Sequence, residues 1–475
     1  MLDPLCLTRR MLADPRPQPL TPRPRGAARE GVFAPVSPAV PEVPRRRTGR
    51  ITTTALALAL LAGPAAAQRL PRADDTVHAR AIAAGYKAAM LCSGMFVAGR
   101  SQREVETTEL RGIYPEYDAI VPTLTARVNR RFGWVEVLYD KEMPPRLSMW
   151  RDGEGCTTYE PGLAPPPTFG DVLPPIYTPP SGQADPRSWP AGDAGVAPRP
   201  SPALAAVVDR AFAGAAYGSG TRTVGVVVVR DGIVAAERYG QGFGPFVPNR
   251  TWSVAKSITG TLVGISRVDV NARADIPEWP CQGTREGGCL TLKPSITLDQ
   301  LLRMSSGLHS DTAGNRTDAV YFGGVPVTRE TVSWPLDVRP GTRFRYANND
   351  ILLAVRSLRA TVGEERYRAL PRQALFGPLG MTHTIAEKDG AGNFILSSQV
   401  WSTARDLARL GQFWLEDGVW QGKRLLPEGW MRYMTTPSGP QPPDAPAMGR
   451  PCGCSGRSKA CPPAATPRRA IAGSM

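Results

Sequence analysis

Twelve prolines fall between residues 161 and 200, and no hydrophobic periodicity runs through them. Proline fixes its own φ and offers no backbone N–H, so such a stretch neither continues a helix nor enters a sheet interior. It is expected to run as an extended tether or as a strap laid over a domain surface. The chain is thereby divided into two regions. Upstream, residues 68–160 read as a small module with an apolar-periodic helix at 78–97 and a strand at 134–139. Downstream, residues 201–439 have the texture of a mixed α and β enzyme. A helix is expected at 203–212, and two strands at 224–229 and 233–238 are joined by the turn pair Asp231-Gly232. A further helix should begin near Ser253 and carry Ile258, Leu262, Val263 and Ile265 inward. Later helices are expected at 298–304, 349–361, 364–375 and 403–416. No internal repeat is present.

The formal charge of +15 would suit a nucleic-acid partner if it were spread over one face. It is not. Residues 1–50 hold ten arginines against four acids, and residues 440–475 hold five basic residues against one acid, so the flanks carry two thirds of the excess. The middle is mildly basic, with no basic stripe interleaved with aromatics, and nucleic acid is not an expected partner. Arg45, Arg46, Arg47 and Arg50 precede the apolar run from Ala55 to Ala62, and Ala65-Ala66-Ala67 offers a small-residue cleavage site. That order is the pattern of a secretory signal, so residues 45–67 are expected to be removed and the protein to work in the periplasm or outside the cell. Residues 1–44 are expected to be a non-native or disordered extension. No later run of 18 apolar residues suggests a membrane span.

Export fits the eight cysteines. Cys92 with Cys156, and Cys281 with Cys289, are candidate disulfides in an oxidising compartment, although spacing alone does not fix the pairing. Cys452, Cys454 and Cys461 have no histidine or fourth cysteine at zinc-like spacing, and no metal is expected.

The chain has seven lysines beside its many arginines. Arginine serves wherever bare positive charge suffices, whereas a desolvated lysine can lose its proton and act as a base. One lysine has a serine three residues before it, in Ser253-Val-Ala-Lys256. At the first turn of a helix this spacing puts hydroxyl and amine on one face, beside backbone N–H groups able to meet a developing oxyanion. The bland alternative is an N-cap serine with a solvated lysine one turn on. A downstream Tyr346-Ala347-Asn348 supplies a phenol able to exchange a proton and an amide able to bind the lysine or a substrate carbonyl. Tyr321 is a further candidate for the substrate pocket, with packing as the simpler role. A Ser-His-acid triad finds no Gly-x-Ser-x-Gly elbow, and of His78, His309 and His383 none is marked as a base.

Residues from about 203 to 437 resemble the class C β-lactamase and penicillin-binding-protein-like hydrolases, among them DD-peptidases, esterases and 6-aminohexanoate-dimer hydrolases. The resemblance rests on Ser253-Val-Ala-Lys256, Leu301-Leu-Arg-Met-Ser-Ser-Gly-Leu308, Pro340-Gly-Thr-Arg-Phe-Arg-Tyr-Ala-Asn348, Pro378-Leu-Gly-Met381 and Ser402-Thr-Ala-Arg-Asp-Leu-Ala408. It implies an α+β fold in which an antiparallel sheet flanked by helices packs beside a helical region, with the active site in the cleft between them. It also implies that Ser253 attacks a carbonyl, that Lys256 and Tyr346 share its proton, and that an acyl-enzyme forms without metal or organic cofactor. The substrate would be a small molecule or peptide-like amide or ester.

One motif is missing. The family's Lys-Thr-Gly, or its His-x-Gly variant, has no counterpart in this sequence. The tail at 440–475, rich in Pro, Gly, Arg and Cys, stands where the family's closing strands would be. It reads as the product of an altered reading frame, with those strands missing and a sheet edge uncovered. The competing reading is a catalytically inactive binding or cell-wall interaction protein that keeps the fold.

Overall fold

The computed structural model describes residues 76–163, 182, 184–196, 198–214, 220–281, 289, 291–310 and 317–441, together with the backbone of 471–474. The expected leader, the extension before it, most of the tail and its three cysteines lie outside the described residues.

Helix α1, Val77–Cys92, begins where the Thr76 hydroxyl accepts from the Ala79 N–H, and it widens into a π turn at Ser93–Val97. The predicted helix at 78–97 is therefore one rod with a loosened last turn. Helix α2, Gln102–Thr108, opens on a reciprocal Ser101–Glu104 capping box. Four strands follow, β1 Thr125–Asn129, β2 Trp134–Leu138, β3 Arg146–Arg151 and β4 Gly155–Tyr159, forming an antiparallel sheet in chain order. Only β2 was legible in the sequence. Its alternation buries Val135 and Val137, whereas β1 is largely solvent-facing and leaves little apolar pattern to read.

The larger region begins with α3, Pro202–Ala211. Strands β5, Gly225–Arg230, and β6, Ile233–Tyr239, form the expected hairpin. Asp231 and Gly232 both take left-handed φ values, 52° and 77°, the geometry that a two-residue turn between twisted strands requires. Then come β7 Asn249–Arg250, α4 Val254–Ile265, α5 Leu298–Leu302, α6 Asp318–Tyr321, α7 Val327–Ser333, α8 Asn348–Val362 and α9 Glu364–Leu370. A π turn at Pro371–Phe376 leads to α10 Gly377–Leu379, β8 Ile385–Ala386, β9 Val400–Ser402 and α11 Ala404–Leu415. A small hairpin of β10 Val419–Trp420 and β11 Lys423–Arg424 precedes α12 Trp430–Thr435. Strands β7, β9 and β8 form a second antiparallel sheet with β9 in the middle. The tail, which shows no strand in its sequence, contributes β12, Ile471–Ser474, antiparallel to β5. Pairing through backbone groups needs no apolar side-chain pattern, so composition gave no sign of it.

Among the described residues two large cores stand beside a smaller cluster of Val208, Val226, Val228 and Ala236. The first gathers α1, the four-stranded sheet, Val320–Phe322, Leu352, Ile395 and Trp401, with Trp252 packed against it. The second gathers Ala255, Ile258, Leu262 and Val263 of α4 with α5, α8, α9 and α11. Residues 252 and 255 belong to different cores, as do Leu352 and Leu353. The turn between β7 and α4 therefore lies on the seam. Residues 184–196 pack as a strap: Trp189 Nε1 donates to Gly232 O at 3.1 Å, and buried Arg409 donates to Pro190 O, Gly192 O and Asp193.

Helix α1 is buried on most sides because it is covered twice, by β2 and β3 and by the segment around Phe322. Buried Arg146 of β3 spans this join, donating from Nη2 to Tyr159 O at 2.9 Å and to Phe322 O at 2.7 Å. Gly85 permits the approach, since a Cβ there would collide with the Phe322 carbonyl. Gly85→Ala is expected to destabilise the protein by about 1–3 kcal/mol through overpacking. A lowered thermal midpoint relative to Ala88→Gly, which opens space in the same helix, would show that the collision and not helix propensity is responsible.

Candidate active site

Strand β7 delivers the chain to the seam. Thr251 N donates to Val400 O of β9 at 2.8 Å, and Trp252 then turns with φ at 48°. A bulky residue in the left-handed region is strained and persists only where its surroundings fix it. Here the Tyr114 ring lies 5.9 Å from the Trp252 ring, and the Arg250 guanidinium lies 4.0 Å over it. Ser253 follows as the N-cap of α4, exposed, and its hydroxyl makes no capping bond. The ordinary duty of a serine at a helix start is therefore left undone, and the hydroxyl is engaged elsewhere.

Lys256 stands one turn on, 2% exposed. Its Nζ lies 3.0 Å from Ser253 Oγ, 2.7 Å from Asn348 Oδ1 and 2.8 Å from Ser397 O. Tyr346, just before α8, donates from its hydroxyl to Ser253 Oγ at 2.7 Å. Burial pulls the lysine down from 10.5 to about 7, assisted by the positive charge of Arg250. Burial also raises Tyr346, partly opposed by its bond to Ser253. The geometry suits a neutral amine: Asn348 Oδ1 and Ser397 O accept its two N–H groups, leaving the lone pair directed at the Ser253 hydroxyl. A solvated lysine one turn from a capping serine is excluded by the burial of Lys256 and the uncapped state of Ser253.

A profile of the β-lactamase family matches residues 208–453, just over half of the 475 residues. The chain belongs to the β-lactamase family. A 6-aminohexanoate-dimer hydrolase of Paenarthrobacter ureafaciens is 30% identical over 237 residues, 44% of this chain and 56% of that protein. The chain thus spans little more than half the length of that relative. Among solved structures, an octameric penicillin-binding protein homologue from Pyrococcus abyssi is 16% identical with a TM-score of 0.40, covering 52% of this chain and 64% of that one. A β-lactamase from Mycobacterium bovis is 18% identical with a TM-score of 0.33, covering 49% and 71%.

In this β-lactamase-family chain, Ser253, Lys256, Tyr346 and Asn348 converge, while Tyr321 does not join them. Tyr321 is 2% exposed and shares a 2.5 Å hydrogen bond with Ser397 Oγ, one residue behind the lysine rather than at an opening. His309 stacks on Trp334, with ring centroids 5.4 Å apart, and its Nδ1 lies 3.0 Å from Asp337. Among the described residues no group of three or more His, Cys, Asp or Glu is gathered as a metal site. Nor is any described helix long and apolar enough to cross a membrane.

Sequence reasoning missed two participants. Ser397 acts through its backbone carbonyl, which carries no residue signature. Arg250 sits three residues before the serine and could have been found by asking which of the many arginines lies where charge would act on Lys256. The seven lysines give a direct check. In protein carrying 13C at lysine Cε, one resonance is expected to titrate near pH 7 and to vanish in Lys256→Met, with the other six unchanged. A wild-type spectrum in which every lysine titrates above pH 9 would contradict the burial described above.

Proposed function

We propose that this chain hydrolyses an amide or ester through an acyl-enzyme on Ser253. The observation that supports it is the approach of Lys256 Nζ and Tyr346 OH, at 3.0 and 2.7 Å, to one exposed serine oxygen. Ser253 Oγ attacks the carbonyl carbon and its proton passes to the Lys256–Tyr346 pair, which titrates as a unit and is assigned jointly as the base. The pair returns the proton to the leaving amine or alcohol as the C–N or C–O bond breaks. Water, deprotonated by the same pair, then attacks the acyl-enzyme, and the acid leaves as the serine regains its proton. The family resemblance implies that the backbone N–H of Ser253 itself meets the developing oxyanion, since the next three amides, of Val254, Ala255 and Lys256, already donate to Thr251 O, Trp252 O and Ser253 O. The matched relative's name, a hydrolase of the 6-aminohexanoate dimer, supports an amide substrate.

A fluorophosphonate tests the nucleophile without knowledge of the substrate: the serine oxygen forms a bond to phosphorus, fluoride leaves, and the base keeps the proton. Intact mass of the full chain is expected to show one adduct, absent in Ser253→Ala, with Lys256→Ala slowing its formation by about 10²–10⁴-fold. A folded protein that stays unlabelled would instead favour the non-catalytic binding protein, a reading to which the missing Lys-Thr-Gly or His-x-Gly motif lends weight.

We also infer that the chain is exported to the periplasm or beyond. The disulfides Cys92–Cys156 and Cys281–Cys289 support this, since such bonds persist in oxidising compartments. Residues 1–75 fused to an alkaline phosphatase lacking its own leader should give active phosphatase, which folds only outside the cytoplasm; an inactive, stable fusion would refute export.

A further inference from the structure

Arg250 is a buried cation with little to hold it. It is 5% exposed; its Nη2 donates to Ser398 Oγ at 2.8 Å and its Nη1 lies 3.7 Å from Met90 Sδ. Its Nε has no hydrogen-bond partner among the described residues, and no ion pair to it is found among them. Buried charges are ordinarily paired, and arginine cannot relieve the cost by losing its proton. The faces of Trp252 at 4.0 Å, Tyr321 at 5.7 Å and Phe322 at 5.8 Å offset part of that cost. Buried Arg409 and Arg405, by contrast, face carboxylates, Arg409 with Asp406 and Asp193 and Arg405 with Glu237, whereas buried Arg146, like Arg250, has an unpartnered Nε.

Two of the contacts of Arg250 lead back to the reacting atoms. Trp252, beneath the guanidinium, is the residue before the nucleophile. Ser398 follows Ser397, whose carbonyl receives Lys256 and whose hydroxyl meets Tyr321. The same turn is pinned to α4 by Thr259 Oγ1, which donates to Leu396 O at 2.9 Å. We propose that Arg250 is a positioning residue for the reaction assigned above: its bond to Ser398 fixes the turn that receives Lys256, and its guanidinium, which has no ion pair among the described residues, stands as a positive charge behind the amine.

This inference rests on the hydrolase reading. It gives a reason for an unpaired arginine at this place, because a carboxylate partner would cancel the field that disfavours an ammonium at Lys256. Arg250 is second only to burial among the causes that lower the lysine. The other titratable groups around this pair, among the described residues, are Tyr346 before α8, Tyr321 of α6, Tyr86 of α1, Tyr114 of the N-terminal layer, and Glu387 beside β8. Burial pushes the Tyr86, Tyr321 and Tyr346 phenols above their ordinary value, so these three are uncharged across the working range. Glu387 feels Arg250 but is raised to about 7 by burial, so it offsets the guanidinium only above that pH.

The test follows the rate of fluorophosphonate labelling of the full chain between about pH 5 and 9.5, with thermal melts to confirm folding. The rate requires the amine and falls as pH drops through the lysine's midpoint. Arg250→Gln should move that midpoint up by about 0.5–2 units, whereas Arg250→Lys, which keeps the charge, should leave it near the wild-type value. Ser398→Asp places an acid against Nη2 and neutralises the guanidinium without removing it, so it should also raise the midpoint. If Arg250→Gln does not fold, Ser398→Asp decides. An unlabelled wild type would overturn the hydrolase reading and this inference with it. A labelled wild type whose midpoint is unmoved in the folded variants, even with a lower rate at every pH, would overturn this inference alone and leave Arg250 a packing residue.

Discussion

Everything at the site depends on keeping water from the Lys256 amine. The drop from 10.5 to about 7 corresponds to roughly 5 kcal/mol of discrimination against the ammonium form. That is comparable with the whole net stability of an ordinary domain, about 5–15 kcal/mol. Such a group cannot be placed in a shallow crevice. It lies where two cores meet, with α4 and α8 supplying one wall and the turn at 396–399 the other, and its two N–H groups are given Asn348 Oδ1 and Ser397 O as replacements for water. Among the described residues no carboxylate pairs with it, and one that did would restore the charge that burial removes.

The N-terminal layer belongs to this enclosure although the family profile begins only at residue 208. Met90 and Tyr114 reach Arg250 and Trp252, so the strained turn ahead of Ser253 is packed by side chains from outside the family match. Glu387 gives the layer a second hold. It accepts from Ser93 Oγ at 2.6 Å, from Cys156 N at 3.0 Å and from Trp401 Nε1 at 3.2 Å, and the Cys92–Cys156 disulfide keeps the first two donors together. Trp401 pairs in register with Arg250 across β9 and β7. A continuous path of packed groups thus runs from the disulfide to the turn before Ser253.

The sequence disclosed what is local. Helical periodicity located α1, α4, α8 and α11 to within a residue or two at most ends, and Asp231-Gly232 located the hairpin, because each pattern is completed within one element. Ser253 and Lys256 were legible for the same reason, one helical turn relating them. Tyr346 and Asn348 were singled out by their chemistry, a phenol and an amide, and then by the resemblance to a known family, because no local pattern links them to Lys256 across about 90 residues of chain. The Ser397 carbonyl was illegible because any residue has one. Tyr321 was placed at the pocket by its order in the chain, yet order says nothing of depth, and packing against Ser397 carried it behind the lysine. Strands β1, β3 and β4 escaped because a short strand gives at most three inward positions, too few to separate from loop.

Activating the nucleophile and stabilising the transition state are separate requirements, and this chain treats them differently. Under the proposed chemistry, all that deprotonates Ser253 lies between residues 250 and 398 and is in hydrogen-bonding reach. The second oxyanion donor implied by the family resemblance belongs to a motif this sequence does not contain. One such donor is worth about 10²–10³ in rate. A reagent or ester with a good leaving group develops less charge on its oxygen and depends less on that donor than an unactivated amide does. On that proposal the gap between activated esters and amides should be wider here than in family members carrying both donors, and substrate preference would follow from the oxyanion side of the cleft rather than from the activation of Ser253.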